Sequence, residues 1–189
     1  MSSLLRSLEM LFRALPALVA LALASCATIP EEQCPKVDWY ALGLADGRDG
    51  APAARLADHR KACAGVNVEP DERAWLEGRR AGLVEYCRLP GAVSAGLAGR
   101  GYAGVCPDPR FGRLYAAARQ VFDARAKVSE IDRDLASARR DIADPNTSDI
   151  RRDILRGQVR SLENDRRRAV DRLRDAETEL QGLRRASGV

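Results

Sequence analysis

Two long heptad repeats, separated by a short turn sequence, constrain the fold of this chain more than any other feature. Apolar residues recur at alternating steps of three and four across residues 114–142, and again across residues 155–183. Residues 144–149, Asp-Pro-Asn-Thr-Ser-Asp, interrupt the pattern with turn formers and a helix cap. A sustained apolar seam of this kind is typical of a coiled coil. The sequence therefore predicts two long helices that fold back on each other over residues 108–186.

The two seams provide a check on this prediction, because an antiparallel hairpin must pair their apolar residues without a slip in register. When the chain folds back near Asn146, each apolar residue of the first seam faces a residue of the second. The expected pairs are Ala138–Leu155, Leu135–Val159, Ile131–Leu162, Val128–Arg166, Ala124–Ala169, Val121–Leu173, Ala118–Ala176 and Leu114–Leu180. Two layers have alanine on both sides, so either the helices approach closely there or a third helix covers the gap. Arg166 breaks the seam, and its head can reach solvent or a carboxylate such as Glu130 or Glu163.

The N-terminal segment indicates where the protein is expected to lie. A basic start precedes an apolar run over residues 14–24, and such a run is too short for a hydrocarbon core that needs about 20 residues. The Leu-Ala-Ser-Cys sequence that ends at Cys26 resembles the lipobox of bacterial lipoproteins. We expect residues 1–25 to be removed and Cys26 to carry the lipid; the alternative is an ordinary secretory signal with a coincidental cysteine. Ala27 in place of aspartate favours the outer membrane, with the protein facing the periplasm.

Composition changes after residues 26–33, which are expected to form a short polar tether. Residues 34–107 contain the other four cysteines, both tryptophans and the only histidine. An even number of thiols in an oxidising compartment predicts two disulfides, which a small domain with few large apolar side chains needs. Four cysteines permit three pairings. A pairing that closes local loops is favoured: Cys34–Cys63 with Cys87–Cys106.

An aromatic and glycine motif repeats within this cysteine-rich domain. Its members fall three or four residues apart, so on helices they would share one face: Trp39, Gly43 and Gly47, then Trp75, Gly78 and Gly82. Glycine inside a helix costs about 1 kcal/mol relative to alanine, so repeated glycines need a reason. Either they let one helix approach another backbone closely, or they shape a groove for a ligand. Further along, the glycines of residues 91–104 predict turns or a short irregular hairpin rather than a helix.

The motifs of the cysteine-rich domain follow a recognisable order. They are Cys34-Pro-Lys-Val-Asp38-Trp39-Tyr40, Gly43, Asp46-Gly47, His59 with Cys63, Tyr86-Cys87 and Tyr102-Ala-Gly104-Val-Cys106. Over Cys34 to about Tyr115, this order resembles a proteobacterial outer-membrane lipoprotein family of unknown function. The resemblance implies a compartment and a fold, and it implies no activity.

The chain contains few groups of residues that would catalyse a reaction or bind a metal. His59 and Cys63 lie four residues apart, but structural zinc needs four such ligands and the thiols are expected in disulfides. No motif frames a serine as a nucleophile, and the carboxylates are scattered. A net charge of +4, with both signs interspersed, argues against a nucleic-acid partner. We therefore expect no catalytic residue, no metal and no cofactor.

Two functional hypotheses remain, on an expected fold that is mainly α: a small disulfide-stapled helical domain followed by a long antiparallel coiled-coil hairpin. The first is a non-catalytic structural or adaptor lipoprotein, anchored by its lipid, whose hairpin contacts an envelope protein; this hypothesis also allows a homo-oligomer. The alternative is a binding module or cryptic hydrolase for a cell-wall glycan or peptide. The alternative predicts that both tryptophans converge with Asp38 and Glu77 on an open cleft. The first predicts that they pack against glycines.

Overall fold

The computed structural model describes residues 28–189, and its secondary structure there is helical, without strands. A 3-10 helix, Glu31–Lys36, comes first. The α-helices that follow are α1 (Trp39–Arg48), α2 (Arg55–Cys63), α3 (Glu72–Tyr86), α4 (Leu89–Leu97), α5 (Pro109–Ala143) and α6 (Asp149–Ser187). The predicted leader and Cys26 lie outside the described residues. Within residues 28–189, no helix combines the length and the apolar character that a membrane crossing requires.

Helices α5 and α6 form the antiparallel hairpin that the heptad seams predict. Asp108 caps α5 through its side chain and Pro109 occupies the first turn, while Ser148 caps α6. The helices have 35 and 39 residues, which corresponds to about 50–60 Å at about 1.5 Å per residue. Their middle layers contain both members of the expected pairs Leu135–Val159 and Ile131–Leu162, together with Val128 and Ala169. The predicted fold class is confirmed.

Helix α4 covers one side of the hairpin at its base, although it lies within the predicted cysteine-rich domain. A Cβ at Gly96 would lie 2.6 Å from both the Ala118 Cβ and the Tyr115 carbonyl oxygen, so glycine is what lets α4 approach α5. The expectation of turns over residues 91–104 is therefore wrong for Leu89–Leu97. One apolar core results, which includes Ala92, Val93, Phe111, Leu114, Ala117, Ala118, Val121, Ala176 and Leu180.

The remaining helices form a second packing unit, in which α1 lies against α3. The disulfides have the favoured pairing, Cys34–Cys63 and Cys87–Cys106. The first bond joins the 3-10 helix to the end of α2, and the second joins the residue after α3 to the segment that precedes α5. This arrangement is the disulfide-stapled helical domain that the composition predicts.

Tyr86 connects the two packing units. Its ring lies against Gly50, whose φ of +72° favours glycine, and its centroid is 5.4 Å from that of Phe111 in the hairpin core. Burial at this junction raises the pKa of Tyr86. Beside it, Arg48 at the end of α1 pairs with Glu85 at 2.9 Å, and this hydrogen bond lowers the pKa of Glu85. Aromatic packing and an exposed ion pair thus hold the ends of α1 and α3 at the base of the hairpin.

The segment expected to be a tether has defined structure from Thr28 onward: Thr28 and Ile29 pack on the domain, and residues 30–33 are exposed. Ile29 is 4% exposed and contributes to a small core with the Cys34–Cys63 disulfide. Burial of an isoleucine side chain stabilises the folded state, so Thr28 and Ile29 belong to the folded unit. The fold therefore begins inside the predicted tether, ahead of Cys34.

Candidate functional site

The tryptophan and glycine stripes of α1 and α3 face each other and interlock. A Cβ on Gly43 would collide with the carbonyl group of Trp75, and one on Gly78 would collide with the carbonyl group of Tyr40. The second glycine of each stripe meets backbone in the same way: Gly47 against Arg79, and Gly82 against Leu44. The space above each glycine is thus occupied by the backbone of the opposite helix. These glycines serve close helix packing, the first of the two explanations that the sequence allows.

A buried polar cluster lies beside this interface and centres on Asp46. The Oδ2 atom of Asp46 accepts hydrogen bonds from Trp75 Nε1 and His59 Nε2, each at 2.8 Å. A carboxylate only accepts, so Nε2 of His59 donates to Asp46, and Nδ1 of the same ring is hydrogen-bonded to the Thr28 hydroxyl at 2.7 Å. Trp75 and His59 are 0% and 1% exposed. The cluster therefore links α1, α2, α3 and the first described residues.

The order hydroxyl, imidazole, carboxylate also occurs in the triads of hydrolases. Here the imidazole of His59 is enclosed, and the same Asp46 oxygen also binds the Trp75 indole. A catalytic histidine must exchange its proton with a substrate, and this ring has no exposed face for such a substrate. The arrangement satisfies buried donors, and it fixes Thr28 on the domain.

The carboxylates named for the alternative hypothesis have local partners. Asp38 is the N-terminal cap of α1 and accepts from the Ala41 amide at 3.0 Å. Glu77 is exposed and pairs with Arg73, one turn earlier on α3. Trp39 packs on the small core around Ile29. The structure thus brings Trp75 to Asp46, and it gives Asp38 and Glu77 other roles.

Comparison with known proteins gives one family match. Residues 38–120 match the model of a protein family of unknown function (DUF2799). The DUF2799 range begins at the cap of α1 and ends within α5, so it contains the interlocked glycines, the polar cluster and α4. No curated protein and no solved structure matches the chain. Residues 38–120 are thus similar to a domain of unknown function, and most of the hairpin lies beyond the DUF2799 range.

One side of the hairpin contains ion pairs between its helices, and we call it the paired side. Its bonds are Arg125–Glu177 at 2.7 Å, Asp132–Arg166 at 2.6 Å and Arg139–Glu163 at 2.9 Å. A cavity of about 490 Å³ also lies on this side, and its lining includes Asp132, Arg139, Glu163 and Arg166. Arg166 was expected to reach solvent, Glu130 or Glu163, and its observed partner is Asp132. The hydrogen bond from Asp132 raises the pKa of Arg166 further above its ordinary value.

The other side contains an open groove of about 490 Å³, which we call the alanine groove. Its floor is Ala124, Ala169 and Ala176, and its rim is Gln120, Asp123, Lys127, Arg172, Asp175 and Glu179. The two alanine layers therefore differ. Helix α4 covers Ala118, as a third helix was expected to do, while Ala124 and Ala169 line the groove, Ala169 with only 1% of its surface exposed.

The polar cluster was not predicted from the sequence, and no role was assigned to Thr28. Asp46 counted as one of several scattered carboxylates and His59 as a weak metal ligand. One signal was present: Asp46 lies between Gly43 and Gly47, on a helix whose glycines indicate a close interface. A carboxylate in that position is close to buried groups and needs donors there.

Proposed function

We propose that this protein is a non-catalytic outer-membrane lipoprotein that acts as an adaptor in the cell envelope. A lipid on Cys26 would hold the DUF2799 domain at the membrane, and the hairpin would reach into the periplasm to bind a protein partner. The observation that carries the proposal is the hairpin itself. Beyond the region covered by α4, its helices pack only on each other within the described chain, and they expose their outer faces.

The tip of the hairpin supports a role in binding. Ile150 and Ile154 lie one turn apart on α6 and are 78% and 58% exposed. Neighbouring apolar side chains that remain in water favour association with another apolar surface. The closed tryptophan–glycine interface offers less to the alternative hypothesis, because its glycines already contact backbone.

Crosslinking in intact cells tests the adaptor hypothesis. A photoreactive residue at Ile150 should capture a specific envelope protein, whereas the same residue at Val84, which is 71% exposed on α3, should not. The hairpin can be shortened without changing its register by deleting residues 129–142 and 152–165, two heptads from each arm. The base core, which needs Ala176 and Leu180, is then retained.

We expect the shortened chain to fold, to reach the membrane and to lose the partner that wild type retains on pull-down. Retention of the same partner by the shortened chain would show that the hairpin does not carry the function. Cell-wall fragments that co-purify equally with both chains would instead favour the glycan- or peptide-binding hypothesis. A circular dichroism spectrum of the shortened chain controls for folding.

Lipid attachment is tested separately. Cys26→Ser should abolish incorporation of a labelled fatty acid and should move the protein from the membrane fraction to the soluble or precursor fraction. Ser25→Ala, which keeps a small residue before the cysteine, is the matched control and should behave as wild type. Equal labelling of the Cys26→Ser chain would contradict the lipobox interpretation.

A further inference from the structure

The first described residues are fixed on the domain by two different contacts. Thr28 is hydrogen-bonded to Nδ1 of His59, and His59 is 1% exposed. Ile29, the next residue, is 4% exposed and packs on the Cys34–Cys63 disulfide. We call these two contacts the latch. Because the latch combines a hydrogen bond with a buried apolar side chain, the chain is held on the packing unit of α1, α2 and α3 from Thr28 onward.

The latch lies very close in sequence to the residue that is expected to carry the lipid. Ala27 is the only residue between Cys26 and Thr28. An extended chain spans at most about 3.6 Å per residue, so the Cα atoms of Cys26 and Thr28 are within about 7 Å of each other. Without the latch, the next fixed residue would be Cys34 in its disulfide, and the limit would rise to about 29 Å. The latch therefore removes most of the slack between the lipid and the fold.

We infer that the packing unit of α1, α2 and α3 lies directly on the bilayer, with the surface beside the latch against the headgroups of zwitterionic phospholipids. This placement rests on the proposed function, because Cys26 is taken as the lipidated residue. The acyl chains of a lipidated cysteine enter the hydrocarbon core, so the cysteine itself lies at the headgroup layer. A unit that is held within about 7 Å of that residue has no spacer between itself and the headgroups.

The residues that follow the latch suit a headgroup layer. They are exposed and include charges of both signs: Pro30, Glu31, Glu32, Gln33 and Lys36. Charged groups are costly to move into hydrocarbon, so this segment stays at the depth of the headgroups. A zwitterionic headgroup presents an ammonium group that carboxylates such as Glu31 can bind, and a phosphate that Lys36 can bind. Shared charge chemistry and a short connection thus favour the same partner, a phospholipid surface.

Energy transfer from tryptophan to a labelled headgroup measures how far the unit lies from the bilayer. Both donors are near the latch, because Trp39 packs on the core around Ile29, and Trp75 shares the Asp46 carboxylate with His59. The full-length lipidated protein is placed in vesicles of phosphatidylethanolamine and phosphatidylglycerol that contain dansyl-labelled phosphatidylethanolamine. Donor emission is compared with that in vesicles without the label, and wild type should show strong transfer.

A spacer variant shows what the short connection contributes. Twelve glycine and serine residues inserted between Ala27 and Thr28 should lower the transfer efficiency at least about twofold, because a chain of that length has an r.m.s. end-to-end distance of about 20 Å. The same insert between Pro145 and Asn146, at the turn of the hairpin, leaves the latch intact. It is the matched control and should transfer as wild type.

The latch is tested by substitutions that keep the length of the chain. Thr28→Val with Ile29→Ser removes the hydrogen bond to His59 and the buried apolar side chain, so the transfer efficiency should fall towards that of the spacer variant. Gln33→Ala changes an exposed residue of the same segment and should transfer as wild type. Circular dichroism should show equal helix content in all of these chains.

The outcomes separate the placement on the bilayer from the proposed function. The mass of the purified chain shows whether Cys26 carries a lipid, and an unmodified Cys26 would overturn both. A lipidated wild type that transfers no better than its spacer variant would overturn the placement alone, because the short connection would then not hold the unit at the headgroups. A latch variant that transfers as wild type would also overturn it.

Discussion

Replacing Gly78 with alanine is expected to reduce the free energy of unfolding by about 3 kcal/mol or more, because overpacking against backbone is costly. The added Cβ would collide with the carbonyl group of Tyr40 on α1, and it would lie 2.9 Å from the Leu44 amide nitrogen. Neither atom belongs to a flexible side chain, so α1 and α3 must separate. Intrinsic helix propensity acts in the opposite direction, since alanine is favoured over glycine by about 1 kcal/mol in a helix interior. The measured decrease in the free energy of unfolding is therefore the cost of the collision minus the gain in helix propensity.

Gly182 provides the matched control for this substitution. It lies inside α6, and a Cβ there would meet nothing within 4 Å. Gly182→Ala should leave stability unchanged or raise it by up to about 1 kcal/mol. Urea unfolding followed by tryptophan fluorescence measures the first variant, because both tryptophans lie in the α1–α3 unit, and circular dichroism measures the second. Equal effects of the two substitutions would contradict the interlocked interface.

The hairpin could be predicted from the sequence because several layers of the two seams independently imply the same pairing of the helices. An error in register would have placed polar residues opposite apolar ones in several layers at once, and only one layer, Val128 with Arg166, is mixed. The ion pairs were harder to predict. Long side chains lean toward the N-terminus of their own helix, so Arg166 reaches Asp132 rather than Glu130 on the antiparallel helix, while Glu163 pairs with Arg139. The same lean decides which charges meet on each side of the hairpin.

Helix α4 shows why composition alone failed. Five glycines in residues 91–104 lower helix propensity, and propensity favoured turns there. Tertiary packing reversed the effect at Gly96, where the missing Cβ admits α5. Close approach of two helices could be predicted at Gly43 and Gly78, because two stripes of similar spacing indicate a pair of helices there. No matching stripe identified α5 as the partner of α4, so its helix could be seen only in three dimensions.

The polar cluster escaped prediction for a related reason. Its members are separated by 13 residues between Asp46 and His59, and by 29 between Asp46 and Trp75. No periodicity connects such positions, and their meeting depends on how α1, α2 and α3 assemble. The sequence does indicate that partners are required, because a histidine and a tryptophan that become buried must form hydrogen bonds. The structure shows that one carboxylate oxygen supplies both.

Replacing Asp46 with alanine is therefore expected to destabilise the α1–α3 unit by about 2–5 kcal/mol. The Trp75 indole N–H and the His59 Nε2–H would both lose their acceptor while remaining enclosed, and each unsatisfied buried donor costs about 1–3 kcal/mol. Asp46→Asn should cost less, because its amide oxygen can take the place of Oδ2 and accept from both donors, although without the negative charge. Urea unfolding, followed by fluorescence in a Trp39→Phe background so that only Trp75 reports, gives the change.

Asp49 is the matched control, because it lies three residues further along, at the end of α1, and it is exposed. Asp49→Ala should change stability by less than about 0.5 kcal/mol, as surface substitutions usually do. If Asp46→Ala is equally mild, the hydrogen bonds of the cluster contribute little. If it is severe, the effect should extend to Thr28, whose anchor is His59, and residues 28–33 should become more accessible to proteases than in the Asp49→Ala chain. That linked loss would distinguish a cluster that fixes the N-terminal segment from one that stabilises only the core.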